Sequence, residues 1–253
     1  MNHINETIKP RRLSSISAVF PAYNDAGTIP SMVLAAILAL RQVTSDYEVV
    51  VTNDGSEDHT GLILEEMALR YPELRVLHHR VNQGYGAALR SGFSAATKDW
   101  VFYTDGDAQY NPLELALLVE ALEEGVDIVN GYKIERHDPL IRKLLGRIYH
   151  YFVSFMFGMR LRDVDCDFRL FRRSILDVIR LESRSGAICV EMVKKIQDFG
   201  YVFAEVPVHH HFRQYGKSQF FNFRRLIRTA RRLAELFWRL VVRKEHLRQA
   251  GRG

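Results

Sequence analysis

The sequence predicts an α/β protein, with a mostly parallel sheet and helices on both faces. Three observations point there. First, short apolar runs rich in β-branched residues alternate with longer stretches of helical spacing through residues 16–133. Second, those runs are continuously apolar, as strands covered on both faces are. Third, polar clusters recur just after the strands: Asn24-Asp25, Asn53-Asp54 and Asp105-Gly106-Asp107. Ligands of open α/β sheets bind beyond the carboxyl ends of the strands, where these clusters fall.

Each element follows from its pattern. "ISAVFPAYN" (16–24) is a buried strand ending in a loop, and 27–43 is a helix with Thr28 at its N-cap and Pro30 in its first turn. "YEVVVTNDGSEDHT" (47–60) is a second strand with its polar loop, followed by a helix over about 58–71. "LRVLHH" (74–79) is a third strand, and "NQGYGAALRSGFSAA" (82–96) a Gly-rich loop entering a helix. "DWVFYTDGDAQ" (99–109) is a fourth strand and its loop, 112–125 a helix, and 126–133 a fifth strand. The second half is less regular. Residues 138–158 have helical spacing, 163–176 begin as a polar loop and turn into apolar–basic alternation, 187–200 form a helix stopped by Gly200, and 201–213 a late strand.

The bulk numbers exclude several classes. A chain of 253 residues with 47% apolar content can build a sizeable core, so global disorder is not expected. Cys166 and Cys189 have no CxxC or Cys/His spacing, which argues against structural zinc and a disulfide scaffold. The start, "MNHINETIKPRRLSS", lacks the apolar stretch of a signal peptide, and the run at 148–159 is too short to span a bilayer. The charge is lopsided. From Arg213 onward, 12 Lys/Arg face 2 Asp/Glu, a balance of +10, within a whole-chain charge of +5. Basicity therefore belongs to the tail.

The Asp-Gly-Asp loop carries the sharpest chemistry. Hard divalent cations take oxygen ligands and keep room for water and substrate phosphate. Asp105, Asp107 and Gln109 supply such a partial shell at a strand end, and Gly106 lets the backbone turn tightly. "NQGYGAALR" has two readings, a tight turn or a helix N-terminus presenting N–H groups to an anion.

"PAYNDAGTI", "TNDGSEDHT", "NQGYGAALRSGF", "TDGDAQYNP", "DFRLFRR", "EVPV" and "RQYGKS" occur in an order that resembles family 2 glycosyltransferases. The chain is most similar to the polyprenyl-phosphate glycosyltransferases of the dolichol-phosphate mannose synthase type. The resemblance covers roughly residues 16–220 and implies the GT-A fold, a Rossmann-like sheet, as one domain over 15–220. A flexible tail (1–14) would precede it and a basic amphipathic segment (221–253) follow it. Pro21, Ala22, Tyr23 and Asp25 would line the base and ribose pocket, with Asp25 where the family usually has Glu. Asp54 would bond the base, and Asn53 stands where a second Asp is common. Gly84, Gly86 and Arg90 would lie near the nucleotide and sugar, with Tyr85 replacing a frequent Lys. Asp105, Asp107 and Gln109 would hold Mg2+ or Mn2+ on the donor diphosphate.

A phosphate acceptor is already ionised and needs cations for positioning, whereas a sugar hydroxyl needs a general base. Arginine's planar fork suits phosphate. The resemblance implies that Arg136, Arg147, Arg213 and Lys217 bind acceptor phosphate or close over the diphosphate, with Arg169 in "FRLFRR" near the substrate; Arg142 either joins them or lies on a solvated helix face. Asp163, Asp165 and Asp167 crowd the acceptor side, where one positions substrate, acts as base or caps the next element. Glu191 either orients the sugar or pairs with a basic residue. His209, His210 and His211 do not form one metal site, because neighbouring strand residues face opposite ways.

In the tail, Phe223, Leu226, Ile227, Ala230, Leu233, Ala234, Phe237, Leu240 and Val241 share one helical face. Arg224, Arg225, Arg228, Arg231, Arg232 and Arg239 share the other. Such a helix lies in the headgroup layer of an anionic bilayer or packs on the core. Its aromatics are not interleaved with the arginines, so nucleic acid is not expected.

The reading is an inverting transfer of sugar from a UDP- or GDP-linked donor to a polyprenyl phosphate. The protein would be peripheral on the cytoplasmic face of a membrane, its oligomeric state open. The rival readings are transfer to a sugar hydroxyl, with Asp163, Asp165, Asp167 or Glu191 as base, and a silent nucleotide-sugar-binding module.

Overall fold

The computed structural model describes residues 11–134, 150–212 and 223–250. Among the described residues seven strands make one sheet: β1 (Ile16–Ala22), β2 (Tyr47–Asn53), β3 (Leu74–His78), β4 (Trp100–Thr104), β5 (Ile128–Ile134), β6 (Phe168–Arg172) and β7 (Phe203–His209). Their spatial order is β3-β2-β1-β4-β6-β5-β7. Between them run α1 (Ile29–Val43), α2 (Thr60–Ala68), α3 (Tyr85–Ala95), α4 (Leu115–Glu120), α5 (150–157), α6 (Ile175–Val178) and α7 (Ala187–Asp198). The chain then continues through α8 (Phe223–Phe237), a π-helical turn (Trp238–Val242) and α9 (Glu245–Ala250).

The sheet is parallel except at β6, which runs antiparallel to both β4 and β5. That exception positions the site. Because β6 is reversed, the loop before it arrives at the carboxyl edge of the parallel strands. Its register pairs Thr104 with Phe168, so Asp105 and Asp167 leave the sheet side by side. A second device is Pro21. Pairing of β1 with β2 continues to Ala22–Asn53, but pairing with β4 stops at Val19–Tyr103. Proline has no N–H with which to extend a ladder. The two strands part there, and the loop after β4 folds over the end of β1. A Cβ on Gly106 would sit 3.0 Å from the Pro21 carbonyl oxygen and 2.9 Å from Ile29 Cδ1, so only glycine fits this closely.

One core layer joins the sheet to α1 and α4 through residues such as Phe20, Leu40, Leu118 and Leu170. The other joins it to α3 and α7 through Val50, Leu89, Tyr103, Phe171 and Ile196. Burying each such large apolar side chain contributes about 1.5–3 kcal/mol.

One helix departs most from the sequence expectation. The helix expected over 112–125 begins as a 3-10 turn (Pro112–Glu114) and ends at Glu120. At its start, Asn111 Oδ1 accepts the Leu113 N–H, while the Glu114 carboxylate accepts the His209 N–H and is not available to cap the helix. At its end, Glu123 and Glu124 would place negative charge at a helix C-terminus. The tail helix follows, over its second half, the expected alternative of packing on the core. Leu233 and Leu236 of α8, and Leu240 in the π-turn, are buried against Val153 and Phe157 of α5 and Val190 and Val193 of α7. That half of the apolar stripe packs on the protein. Farther toward the start of α8, Ile227 through Arg232 are exposed on every side.

Candidate active site

The carboxyl edge gathers acids from three separate elements. Asp105 and Asp107 follow β4, Asp167 precedes β6, and Asp25 follows β1. Burial pushes the Asp105 carboxyl well above its usual range, and the charges of Asp167, Asp107 and Asp25 push it further. The Tyr85 hydroxyl opposes this, donating to Asp105 Oδ1 at 2.7 Å. Asp107 Oδ1 accepts the Gln109 N–H at 3.1 Å, closing a tight turn that carries Ala108 at φ 61°. The Gln109 amide nitrogen donates to the His211 carbonyl and the His211 N–H to the Gln109 carbonyl, pinning the end of the β7 segment to this loop. His210 turns to Tyr110, while His209 and His211 stack on each other.

The carboxylates and the Gln109 amide offer hard oxygens and like charges neighbour Asp105, while among the described residues no three acid, His or Cys side chains are grouped so as to hold an ion by themselves. A divalent cation held by Asp105, Asp107 and the Gln109 amide oxygen fits this set, because it relieves the repulsion that raises Asp105.

The loops after β1 and β2 are stitched together. Asn24, at φ 55°, accepts the Glu57 N–H through Oδ1 and donates its own N–H to Ser56 Oγ. The Asp25 N–H reaches Thr60 Oγ1, and Asp25 Oδ2 accepts the Tyr23 N–H at 3.0 Å. Pro21 and Ala22 are buried, and Tyr23 is 40% exposed at the mouth. Asp54, expected to bond a base, is only 2% exposed, and its oxygens are occupied internally. Oδ1 meets His79 Nδ1 at 2.6 Å and the Gln83 N–H, while Oδ2 accepts the Gly84 N–H at 2.8 Å. It shapes the loop leading into α3. Asn53, the departure from the family pattern, braces the same region through Ser56 and His78.

Gly84, Gly86 and Arg90, expected near the nucleotide and sugar, build a joint with residues 182–186, where Glu191 follows the second of its two expected readings and pairs with a basic residue. A Cβ on Gly84 would lie 2.4 Å from the Arg184 carbonyl oxygen, and one on Gly86 2.5 Å from that of Ser183. The Gly86 N–H donates to the Arg184 carbonyl. Arg90 donates to the Glu182 carbonyl at 3.1 Å. Glu191, fully buried, accepts the Glu182 and Ser183 N–H groups and the Lys195 ammonium. Arg239, placed on the polar face of the tail by its periodicity, pairs with Glu182 and Glu245 and ties the tail to the same loop.

Arg169 also differs from expectation. It is fully buried, and its three nitrogens donate to Asn130, the Tyr103 hydroxyl and the Val164 carbonyl. It holds the loop carrying Asp163, Asp165 and Asp167 from beneath and is not exposed to a ligand. Within that loop Asp163 lies 3.7 Å from the Lys133 ammonium. Burial pushes the Asp165 carboxyl up to about 6, opposed by Lys133. Asp167 accepts the Cys189 thiol at 2.9 Å. Arg136, Arg142, Arg147, Arg213 and Lys217 lie outside the described residues. Tyr85, His79 and Lys133 were missed by sequence reasoning. For Tyr85 a signal existed, since it stands between two glycines at a helix start.

The model of glycosyl transferase family 2 matches residues 17–180, well over half of the chain. The chain belongs to glycosyl transferase family 2. This family 2 chain is similar to an undecaprenyl-phosphate 4-deoxy-4-formamido-L-arabinose transferase of Enterobacter sp. (strain 638), 30% identical over 222 residues, 87% of this chain and 66% of that protein. The enzyme of the same name from Pseudomonas fluorescens (strain Pf0-1) is 30% identical over 215 residues, 84% of this chain and 62% of that protein. The chain thus spans just under two thirds of the length of the curated relatives it matches. Among solved structures, glucosyl-3-phosphoglycerate synthase from Mycobacterium tuberculosis, with Mn2+, uridine diphosphate and glucosyl-3-phosphoglycerate, superimposes with a TM-score of 0.68. Its identity is 18%, and the match covers 89% of this chain and 79% of that one. The likeness shows the fold, and the sheet of this family 2 chain is the GT-A sheet expected from its sequence.

Proposed function

We propose that this family 2 chain is a metal-dependent, inverting glycosyltransferase that moves a sugar from a nucleotide-diphosphate donor to a polyprenyl phosphate at a membrane surface. The observation that carries this reading is the convergence of Asp25, Asp105, Asp107 and Asp167 on one edge, built by the reversed strand β6. The names of the curated relatives support a lipid phosphate acceptor and a sugar donor.

Asp105, Asp107 and the Gln109 amide would hold Mg2+ or Mn2+ against the donor diphosphate. That ion supplies Lewis-acid stabilisation of the departing group. Tyr23 and Asp25, at the end of β1, would line the base and ribose side. An acceptor phosphate oxygen bonds to the anomeric carbon as the carbon–oxygen bond to the diphosphate breaks. The electron pair leaves with the diphosphate and the centre inverts. The ionised acceptor needs no proton removed, so Asp163 and Asp167 serve to position rather than to act as base. Arg136, Arg147, Arg213 and Lys217 form the proposed cradle for acceptor phosphate. Arg213 follows by two residues His211, whose backbone is tied to Gln109.

The lipid surface has its own support. Tyr151, Phe152 and Phe155 of α5 are 71%, 58% and 89% exposed. Exposed Arg228, Arg231 and Arg232 in α8 complement anionic headgroups. Among the described residues no helix is long and apolar enough to cross a membrane. A second reading, transfer to a sugar hydroxyl, is favoured by Asp165, whose carboxyl near 6 suits a general base. A labelled donor panel with polyprenyl phosphate and divalent metal tests both. Organic-soluble product supports the first reading, and label on free sugars alone supports the second.

A further inference from the structure

The Tyr85 hydroxyl donates into the acid cluster at Asp105 Oδ1, 2.7 Å away, as the Cys189 thiol does at Asp167. Its position is unusually constrained. Tyr85 opens α3 between Gly84, at φ 99°, and Gly86. Both glycines sit against backbone carbonyls of residues 183–185 at distances that no Cβ tolerates. Asp54 fixes the Gly84 N–H, and Arg90 and Glu191 fix the loop on the other side. The ring itself packs on the core layer with Leu89 and Tyr103. So much structure anchors one residue whose only polar atom meets Asp105.

We propose that Tyr85 is a positioning residue for the metal and diphosphate site. Its hydroxyl holds the Asp105 carboxylate in one rotamer among three other acids, leaving Oδ2 to face the cation. This rests on the reading that Asp105 and Asp107 hold a divalent ion. Without the hydroxyl, repulsion from Asp107 and Asp167 would turn Asp105 away, and groups that orient metal ligands typically change affinity by about 10–100-fold when removed.

The test uses the full chain and Tyr85→Phe, which removes one oxygen and keeps the ring packing. Mn2+ binding is read by loss of the free-ion EPR signal, alone and with UDP or GDP present. Thermal unfolding is read alongside, and, with active enzyme, the apparent Mn2+ constant and kcat. The expected result is Mn2+ binding about tenfold weaker in Tyr85→Phe, with unchanged thermal unfolding. Activity at saturating Mn2+ should return to near the wild-type kcat. Wild type that binds Mn2+ while Tyr85→Phe binds within twofold of it would overturn the role of Tyr85 alone. Should the Phe variant unfold, Tyr85→His, with a ring donor, provides the second measurement: binding lost equally in both, together with the fold, would refute positioning in favour of simple packing. Wild type that binds no Mn2+ with either nucleotide would overturn the metal reading itself.

Discussion

Glu191→Ala gives the most quantitative consequence of the joint at residues 182–186. Glu191 is fully buried and accepts three bonds, from Lys195 Nζ at 2.7 Å, the Ser183 N–H at 2.8 Å and the Glu182 N–H at 3.0 Å. Removing it strands two N–H groups and leaves the buried Lys195 ammonium with the Arg180 carbonyl and a Glu182 carboxylate 4.0 Å away. Breaking a buried pair costs about 3–5 kcal/mol. Partial relief from Glu182 places this case near the lower end, about 3 kcal/mol. With a urea m-value of about 2–3 kcal/mol/M, the midpoint should fall by about 1 M. The pH dependence has a defined sign. Burial raises the Glu191 pKa, but Lys195 and the Ser183 bonds outweigh it and hold the carboxyl below its ordinary value of 4.5. Its stabilisation is therefore complete above that value and is lost as pH falls through the lower, folded one. The gap between wild type and Glu191→Ala should be constant from pH 6 to 8 and shrink below about pH 4. A midpoint shift under about 0.3 M at pH 7 would refute the claim that Glu191 is a structural brace.

Other consequences can be checked more briefly. Gly86→Ala places a Cβ 2.5 Å from the Ser183 carbonyl oxygen, and calorimetry should show a loss of about 1–3 kcal/mol. Arg169→Met leaves the Val164 carbonyl, Asn130 and Tyr103 without their donor, and should cost about 1–3 kcal/mol in urea unfolding. Replacing Tyr151, Phe152 and Phe155 together by Ser removes exposed side chains. Thermal unfolding should be unchanged, while sedimentation with anionic vesicles should weaken by about tenfold or more.

The first four strands and their acid-rich ends were legible because a covered parallel strand writes itself as a continuous apolar run. Asp105 and Asp107 stood out for the same reason, since acids directly after such a run sit at the ligand-binding edge. The reversal of β6 was not legible. Direction is set by pairing between Thr104 and Phe168, residues far apart in sequence, and no local pattern records it. Arg169 was expected near the substrate from its motif, yet it faces inward, and of the two readings of Glu191 the pairing with a basic residue is the one present. Glu191 and Lys195 do stand four apart on α7 in the order that favours an internal pair, a clue within the sequence. Gly84 and Gly86 left a tight turn and an anion-facing helix start both open, and their need for glycine comes from carbonyls about a hundred residues later. The tail's periodicity revealed an apolar face and not what covers it, which over Leu233–Leu240 is α5 and α7.

The central claim is that the acid edge releases a sugar to a lipid phosphate. Its most direct test is label transfer from UDP- and GDP-sugars to polyprenyl phosphate, comparing wild type with folded Asp107→Asn in Mn2+. The account predicts organic-soluble product from wild type with at least one donor, and a rate at least about 100-fold lower from the variant. Comparable product from Asp107→Asn, or no lipid-linked product from wild type with any donor, would contradict it.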